Sequence, residues 1–327
     1  MDETALWVRE AVEALTRRRF LGAVALGTGA GLAPRPRGPE SPGPGFRGTL
    51  CLFSKHLPGL DAGPLGRAVK ALGFAGVDLT VRPGGHVAPE RAASDLAPFL
   101  GTLRKEGLDV PMITTGLLSA SDPTALPILE AAGRNRVRFF KPGYYRYALV
   151  DVRNELEKAA ADLRGLAELA ARCGVQLGFH NHAGYLGGPV WDIARVMDGL
   201  DPRWAGYYFD VRHAVVEGGD GGWRAALNLV GPRLKMVAIK DFFWEKAAKG
   251  WRQHDCPLGE GMVPWKDFFA ALAKARFRGP VSLHLEYEIH GATSEAKQAN
   301  TLDAAARDLA FLKAGLAEAY GGAGPGA

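Results

Sequence analysis

The chain has 327 residues, 47% of them hydrophobic and 23% charged, a composition that excludes a disordered or fibrous protein and leaves room for one large domain or two modest ones. The formal charge is +5, but several basic residues (Arg17, Arg18, Arg19, Arg35, Arg37, Arg47) lie near the start, so the excess does not argue for nucleic-acid binding by the body. Three cysteines, Cys51, Cys173 and Cys256, stand far apart without metal-type spacing, and an odd number leaves at least one thiol outside any intramolecular disulfide.

The first feature in chain order is Thr16-Arg17-Arg18-Arg19-Phe20-Leu21-Gly22, followed by an uncharged Gly- and Ala-rich run at 23–33. It resembles a twin-arginine export signal, an address read by a receptor, and the run is too short for a stable membrane span. The alternative is a basic end on an amphipathic helix over 2–15. Residues 34–47 are rich in Pro and Gly and read as a linker. The expected organisation is an export signal over 1–33, a linker over 34–47, a folded domain over 48–320 and a frayed tail over 321–327, with the mature protein periplasmic or extracellular.

Within the body, eight short β-rich runs bounded by turns predict strands at 48–54, 76–81, 110–115, 137–141, 176–182, 206–211, 235–240 and 280–286. Helical patterns fill the intervals, and Gly73, Gly107, Gly133, Gly174, Gly231 and Gly279 stand where left-handed caps would turn the chain back. A last helix is expected over 295–320. Eight strands alternating with helices predict a single-domain (β/α)8 TIM barrel. An open doubly wound sheet shares the alternation but wants a Gly-rich phosphate loop after the first strand, which Ser54-Lys55-His56-Leu57-Pro58-Gly59 is not.

Strand parity then places the chemistry. Alternate strand residues point inward, so His180 and His182, Asp210, Lys240, and His284 with Glu286 fall on one parity, and Phe179, Phe209, Ile239 and Leu285 face the helices. Asp210 and Glu286 bring two carboxylates to the rim, the oxygen ligands a hard divalent cation wants; alternatively each makes an ion pair with Lys240 or Arg212. His180 and His182, two apart on one strand, can both face a metal or act as bases. Lys240, flanked by Ile239 and Phe242, needs a carboxylate, phosphate or carbonyl partner; it is either a catalytic group or a strut pairing with Glu286 or Asp210. His213 is a candidate ligand, proton-transfer group or substrate donor, or else an exposed or capping histidine. Arg82 near Asp78, and Lys141 with Tyr144 and Tyr145, put aromatics beside cations, which suits a hydroxylated ring. Glu260, in a glycine-containing loop, is a weaker substrate contact.

Together Phe209-Asp210-Val211-Arg212-His213, Ile239-Lys240-Asp241, Pro257-Leu258-Gly259-Glu260-Gly261 and the closing Glu286 resemble the sugar phosphate isomerase/epimerase family. These are xylose isomerase-like TIM barrels, with hydroxypyruvate isomerase, tagatose epimerase and inosose dehydratase among them. The resemblance implies a divalent metal (manganese, magnesium or zinc) held by a strand-five carboxylate, a strand-six Asp, a strand-seven His and a strand-eight Glu. By the match Asp210 and Glu286 are ligands and His213 touches substrate. Two positions depart: His180 replaces the strand-five acid, and Ala238 stands where the strand-seven His belongs. His180 and His182 then become replacement ligands or bases, and Lys240 a polarising group.

The implied activity is metal-assisted isomerisation or epimerisation of an unphosphorylated sugar or cyclitol by proton abstraction next to a carbonyl. In that reading Glu286, His180, Lys240 and His213 are catalytic. Lys141, Tyr145, His182, Arg82 and Glu260 bind substrate, and Asp210, Glu286, His180 and His182 hold metal. The alternatives are a non-catalytic sugar-binding barrel that lost its metal site, and a lyase or dehydratase on the same fold. A homo-oligomer is compatible with either.

Overall fold

The computed structural model describes residues 45–321, and the export-signal reading lies outside them, as does most of the linker and the tail. The described residues all belong to one unit, which holds the fold. Its strands are β1 (Leu50–Phe53), β2 (Gly76–Val81), β3 (Asp109–Thr115), β4 (Phe139–Lys141), β5 (Gln176–His180), β6 (Ala205–Asp210), β7 (Leu234–Ile239), β8 (Asp241–Ala247), β9 (Gly250–Cys256) and β10 (Val281–Leu283). The helices are α1 (Ala62–Leu72), α2 (Ala92–Lys105), α3 (Ala125–Arg134), α4 (Val152–Arg172), α5 (Trp191–Asp198), α6 (Val211–Val230), α7 (Trp265–Lys274) and α8 (Ser294–Gly321).

Eight strands close in the order β1-β10-β7-β6-β5-β4-β3-β2, all parallel, and β8 with β9 forms a separate antiparallel hairpin. Outward strand residues such as Leu52, Val77, Leu79, Ile113, Phe179, Phe209, Ile239 and Leu283 are buried against the helices. A second apolar cluster, Met112, Phe139, Tyr208, Met236 and Ala238, plugs the barrel interior. This is the filled core expected of a barrel rather than a pore. Cross-strand register aligns Asp210 with Ala238 and Ala238 with Ser282, so the polar rim stands directly on this plug. Among the described residues no helix is long and apolar enough to cross a membrane.

The hairpin was not expected from the sequence. It leaves the rim one residue after β7, and its base returns Gln253 and Asp255 to the barrel mouth. Asp241, at its root, accepts from five N–H groups: those of Phe242, Gly259, Gly261 and Val263, and the Trp265 indole at 2.8 Å. This accounts for the pairing of Ile239-Lys240-Asp241 with Pro257-Leu258-Gly259-Glu260-Gly261 in the sequence, because one buried carboxylate organises the whole loop. Gly261 is required there, since a Cβ would collide with the Asp241 carboxylate. Cys51, Cys173 and Cys256 are all free thiols.

Candidate active site

The carboxyl-terminal ends of the strands surround a cavity of about 270 Å³. This is the rim where barrel enzymes carry their chemistry. Asp210 lies buried beneath it, against His180, Lys240 and His213 of its wall. It ends β6 and caps α6, accepting the His213 N–H at 3.2 Å, so the positive end of the helix faces its carboxylate. Its other oxygen meets His180 Nε2 at 3.2 Å and Lys240 Nζ at 3.1 Å, with His213 Nε2 at 3.7 Å. Burial alone would raise the Asp210 pKa, but Lys240, His213 and His180 overcome it and hold the group well below the usual carboxylate range.

The hydrogen bonds fix the roles of three histidines. His180 donates from Nε2 to Asp210 and accepts the Tyr144 hydroxyl at Nδ1 over 2.8 Å, so both its nitrogens are engaged. Burial lowers its pKa well below the histidine norm. His182 donates from Nδ1 to the Ala183 carbonyl at 3.0 Å, which leaves Nε2 as a lone pair in the cavity wall. Burial, then the nearby Lys240 charge, pushes its pKa down to about 4, so the ring is neutral at neutral pH and its lone pair is open to a proton. His213 accepts from Arg212 at Nδ1 over 3.1 Å, and its buried Nε2 has no hydrogen-bond partner.

On the other side, Glu286 pairs with Lys55 at 2.5 Å and faces His284 Nδ1 at 3.7 Å. Burial opposes its ionisation, but His284, Lys240 and Lys55 together hold it ionised. His284 in turn bonds Tyr208, which donates to Asp78. Arg212 reaches from α6 to Asp255 and Gln253, tying the hairpin to the rim. Lys141, 2% exposed, sits with Nζ 3.3 Å above the Tyr144 ring.

The structure brings Asp210, Lys240, His180, His182, His213, Lys141, Arg82 and Glu286 to one place. It separates two others. Tyr145 turns away, its hydroxyl donating to the Leu118 carbonyl at 2.6 Å, and Tyr144 faces the cavity instead. Glu260 is exposed and lines a different depression, beside Tyr287 and Arg307. Lys55, Phe53, Arg212, Gln253 and Asp255 were missed by strand parity. His284 shared the inward parity of Glu286, but Asp255 left no sequence signal because it arrives on the hairpin.

A divalent ion does not fit this donor set. Asp210 is already neutralised by an ammonium group, His180 has no free nitrogen, Glu286 is bonded to Lys55, and Ala238 offers only a methyl. Among the described residues no three His, Cys, Asp or Glu side chains converge to suit a metal ion. Lys240, two residues beyond Ala238 on the same face, lays its cation 3.1 Å from the Asp210 carboxylate.

The family described as Xylose isomerase-like TIM barrel matches residues 67–315, and the chain belongs to it. The inosose dehydratase of Bacillus velezensis is 25% identical over 145 residues, 41% of this chain and 48% of that protein; the match thus spans about half the length of such relatives. The inosose dehydratase of Lacticaseibacillus casei matches to the same extent, at 25% identity over 146 residues, 41% of this chain and 48% of that one. Among solved structures, D-psicose 3-epimerase of Clostridium cellulolyticum H10, determined with D-tagatose, superposes with a TM-score of 0.63 at 15% identity over 82% of this chain and 99% of that one. A Xylose isomerase-like TIM barrel protein from Mycobacterium smegmatis in complex with magnesium gives 0.61 at 18% identity, over 83% of this chain and 97% of that one. These two structures share the fold.

Proposed function

We propose that this barrel is an isomerase or epimerase of polyhydroxylated carbonyl compounds, sugars or cyclitols, working by removal and return of a proton next to the carbonyl. One observation carries the reading: a free imidazole nitrogen on His182 and an ionised Glu286 stand three strands apart around the rim, with the Lys240 ammonium on the strands between them.

In this mechanism Lys240, with donors remaining after its contact to Asp210, binds the substrate carbonyl oxygen and stabilises the negative charge that develops there. Asp210 pairs with Lys240 and orients it. His182 Nε2 takes the proton from the neighbouring carbon. Returning it to the former carbonyl carbon, while Glu286 carries the hydroxyl proton to the former carbonyl oxygen, gives an isomer; a water on the opposite face that protonates the original carbon, with His182 releasing its proton to solvent, gives an epimer. Glu286 accepts a hydrogen bond from a substrate hydroxyl and orients the ring. The Tyr144–His180–Asp210 chain holds the floor rigid.

A second reading, dehydration, is favoured by the inosose dehydratase relatives. It uses the same proton removal and differs in expelling a neighbouring hydroxyl. Incubation with D-tagatose, D-fructose, a keto-inositol or the acidic ketose D-fructose 6-phosphate in deuterated water tests both readings. Deuterium entering at the carbon next to the carbonyl, with an isomer or epimer as product, supports the first, and a dehydrated product supports the second. A folded protein that leaves every carbon-bound proton unexchanged overturns both.

A further inference from the structure

Three of the five cations around the cavity have acidic partners: Lys55 with Glu286, Arg212 with Asp255, and Lys240 with Asp210. Lys141 and Arg82 are left, and among the described residues neither is ion-paired. Lys141 is almost wholly buried, with an aromatic face as its close neighbour. The carboxyl below it, Asp78, is bound by Thr114, Ser282 and Tyr208 inside the barrel. A buried ammonium without a counter-charge is costly unless a ligand brings one.

From this juxtaposition we propose that Lys141 and Arg82 form an anion subsite, so that the substrate carries a carboxylate or phosphate group besides its carbonyl. The proposal rests on the site serving a small polyhydroxylated substrate, and it narrows that class from neutral sugars to acidic ones. Burial, and next the charge of Arg82, lowers the Lys141 pKa well below the lysine norm. An arriving anion would offset that penalty, and this differential stabilisation is the source of its affinity. The Tyr144 ring under the ammonium positions Lys141 without neutralising it.

Binding to the purified full chain, measured by calorimetry, tests this with two probe pairs: D-gluconate against D-sorbitol, and D-glucose 6-phosphate against D-glucose. The expected result is at least a tenfold tighter Kd for the anion in one pair, and the pair that responds identifies carboxylate or phosphate. Lys141→Met and Arg82→Gln should each remove most of that advantage, the anion losing more affinity than its neutral partner in each pair. Lys141→Arg, which keeps the charge, should retain it.

Equal affinity within both pairs, or no binding by any probe, overturns the proposal. So does an anion preference that survives in both neutral variants, because the anion then binds elsewhere. If Lys141→Met does not fold, the wild-type pairs together with Arg82→Gln decide. The two readings fail separately: anion preference without carbon-bound exchange removes the isomerase reading alone, and exchange on neutral sugars without anion preference removes only the subsite.

Discussion

At the residue scale, the proposed mechanism divides the work between Lys240, which holds charge, and His182, which moves a proton. Lys240→Met removes the donor for the developing oxyanion but also leaves Asp210 buried without its ammonium partner. Solvent exchange should therefore fall by roughly 10²-fold or more, the usual cost of an oxyanion donor. Urea unfolding should show a loss of about 3 kcal/mol, the scale for breaking a buried pair. His182 makes a different prediction. Its pKa of about 4 keeps the base neutral throughout the ordinary range, so the acid limb of the pH–rate profile should fall near 4, not near 6.5. His182→Gln should abolish that limb together with most of the rate, while far-UV circular dichroism stays unchanged.

Elements explain what these residues cannot. Asp241 gathers five donors from the segment 242–265, so Asp241→Ala leaves N–H groups unsatisfied at the hairpin root and along the loop before α7. The expected loss is about 3 kcal/mol or more, given the strength of hydrogen bonds to charged groups. Limited proteolysis should show new cleavage within 257–263. Unchanged stability and an unchanged cleavage pattern would refute the anchoring role.

The elements also show where the sequence was legible. Period-two alternation placed Asp210, Lys240 and Glu286 at the rim because a buried parallel strand has only two faces. Parity ends where the strand ends, so beyond Pro142-Gly143 it could not choose between Tyr144 and Tyr145. Gly73, Gly107 and Gly174 take the left-handed conformation expected of caps, but Arg136 and Arg276 take it in place of Gly133 and Gly279. Gly133 lies inside α3, and any side chain there would strike the Cys173 carbonyl, a contact no local signal reveals. The hairpin escaped because most of its residues are exposed and it inserts into the strand–helix alternation.

At the scale of the whole molecule, the polar rim makes stability depend on pH. His56 is held down to about 3 and His182 to about 4, and His180, His213 and His284 are likewise lowered, each chiefly by burial. Their folded pKa values lie below the unfolded value of about 6.5, so the unfolded chain binds more protons in that window. Stability is full above pH 6.5 and is lost as pH falls toward 4 and 3, each histidine adding up to about 1.4 kcal/mol per pH unit. Depressed Asp210 and Glu286 act in the same direction below about pH 4; Asp78, whose pKa burial raises, acts in the opposite one. Urea midpoints at pH 7.5, 6 and 5 should decline steadily, and a flat series would refute this assignment of neutral, buried histidines.

The β8–β9 hairpin has an evolutionary consequence. Its root is locked by Asp241, and its returning strand supplies Gln253 and Asp255 to the cavity wall, while its tip, with Trp251 67% exposed, extends into solvent. Changes of length or sequence beyond the root can therefore reshape the wall without disturbing the register of the eight parallel strands. The hairpin is a detachable module: ligand preference can be retuned there while the buried cluster of Asp210, His180 and Lys240 keeps its contacts.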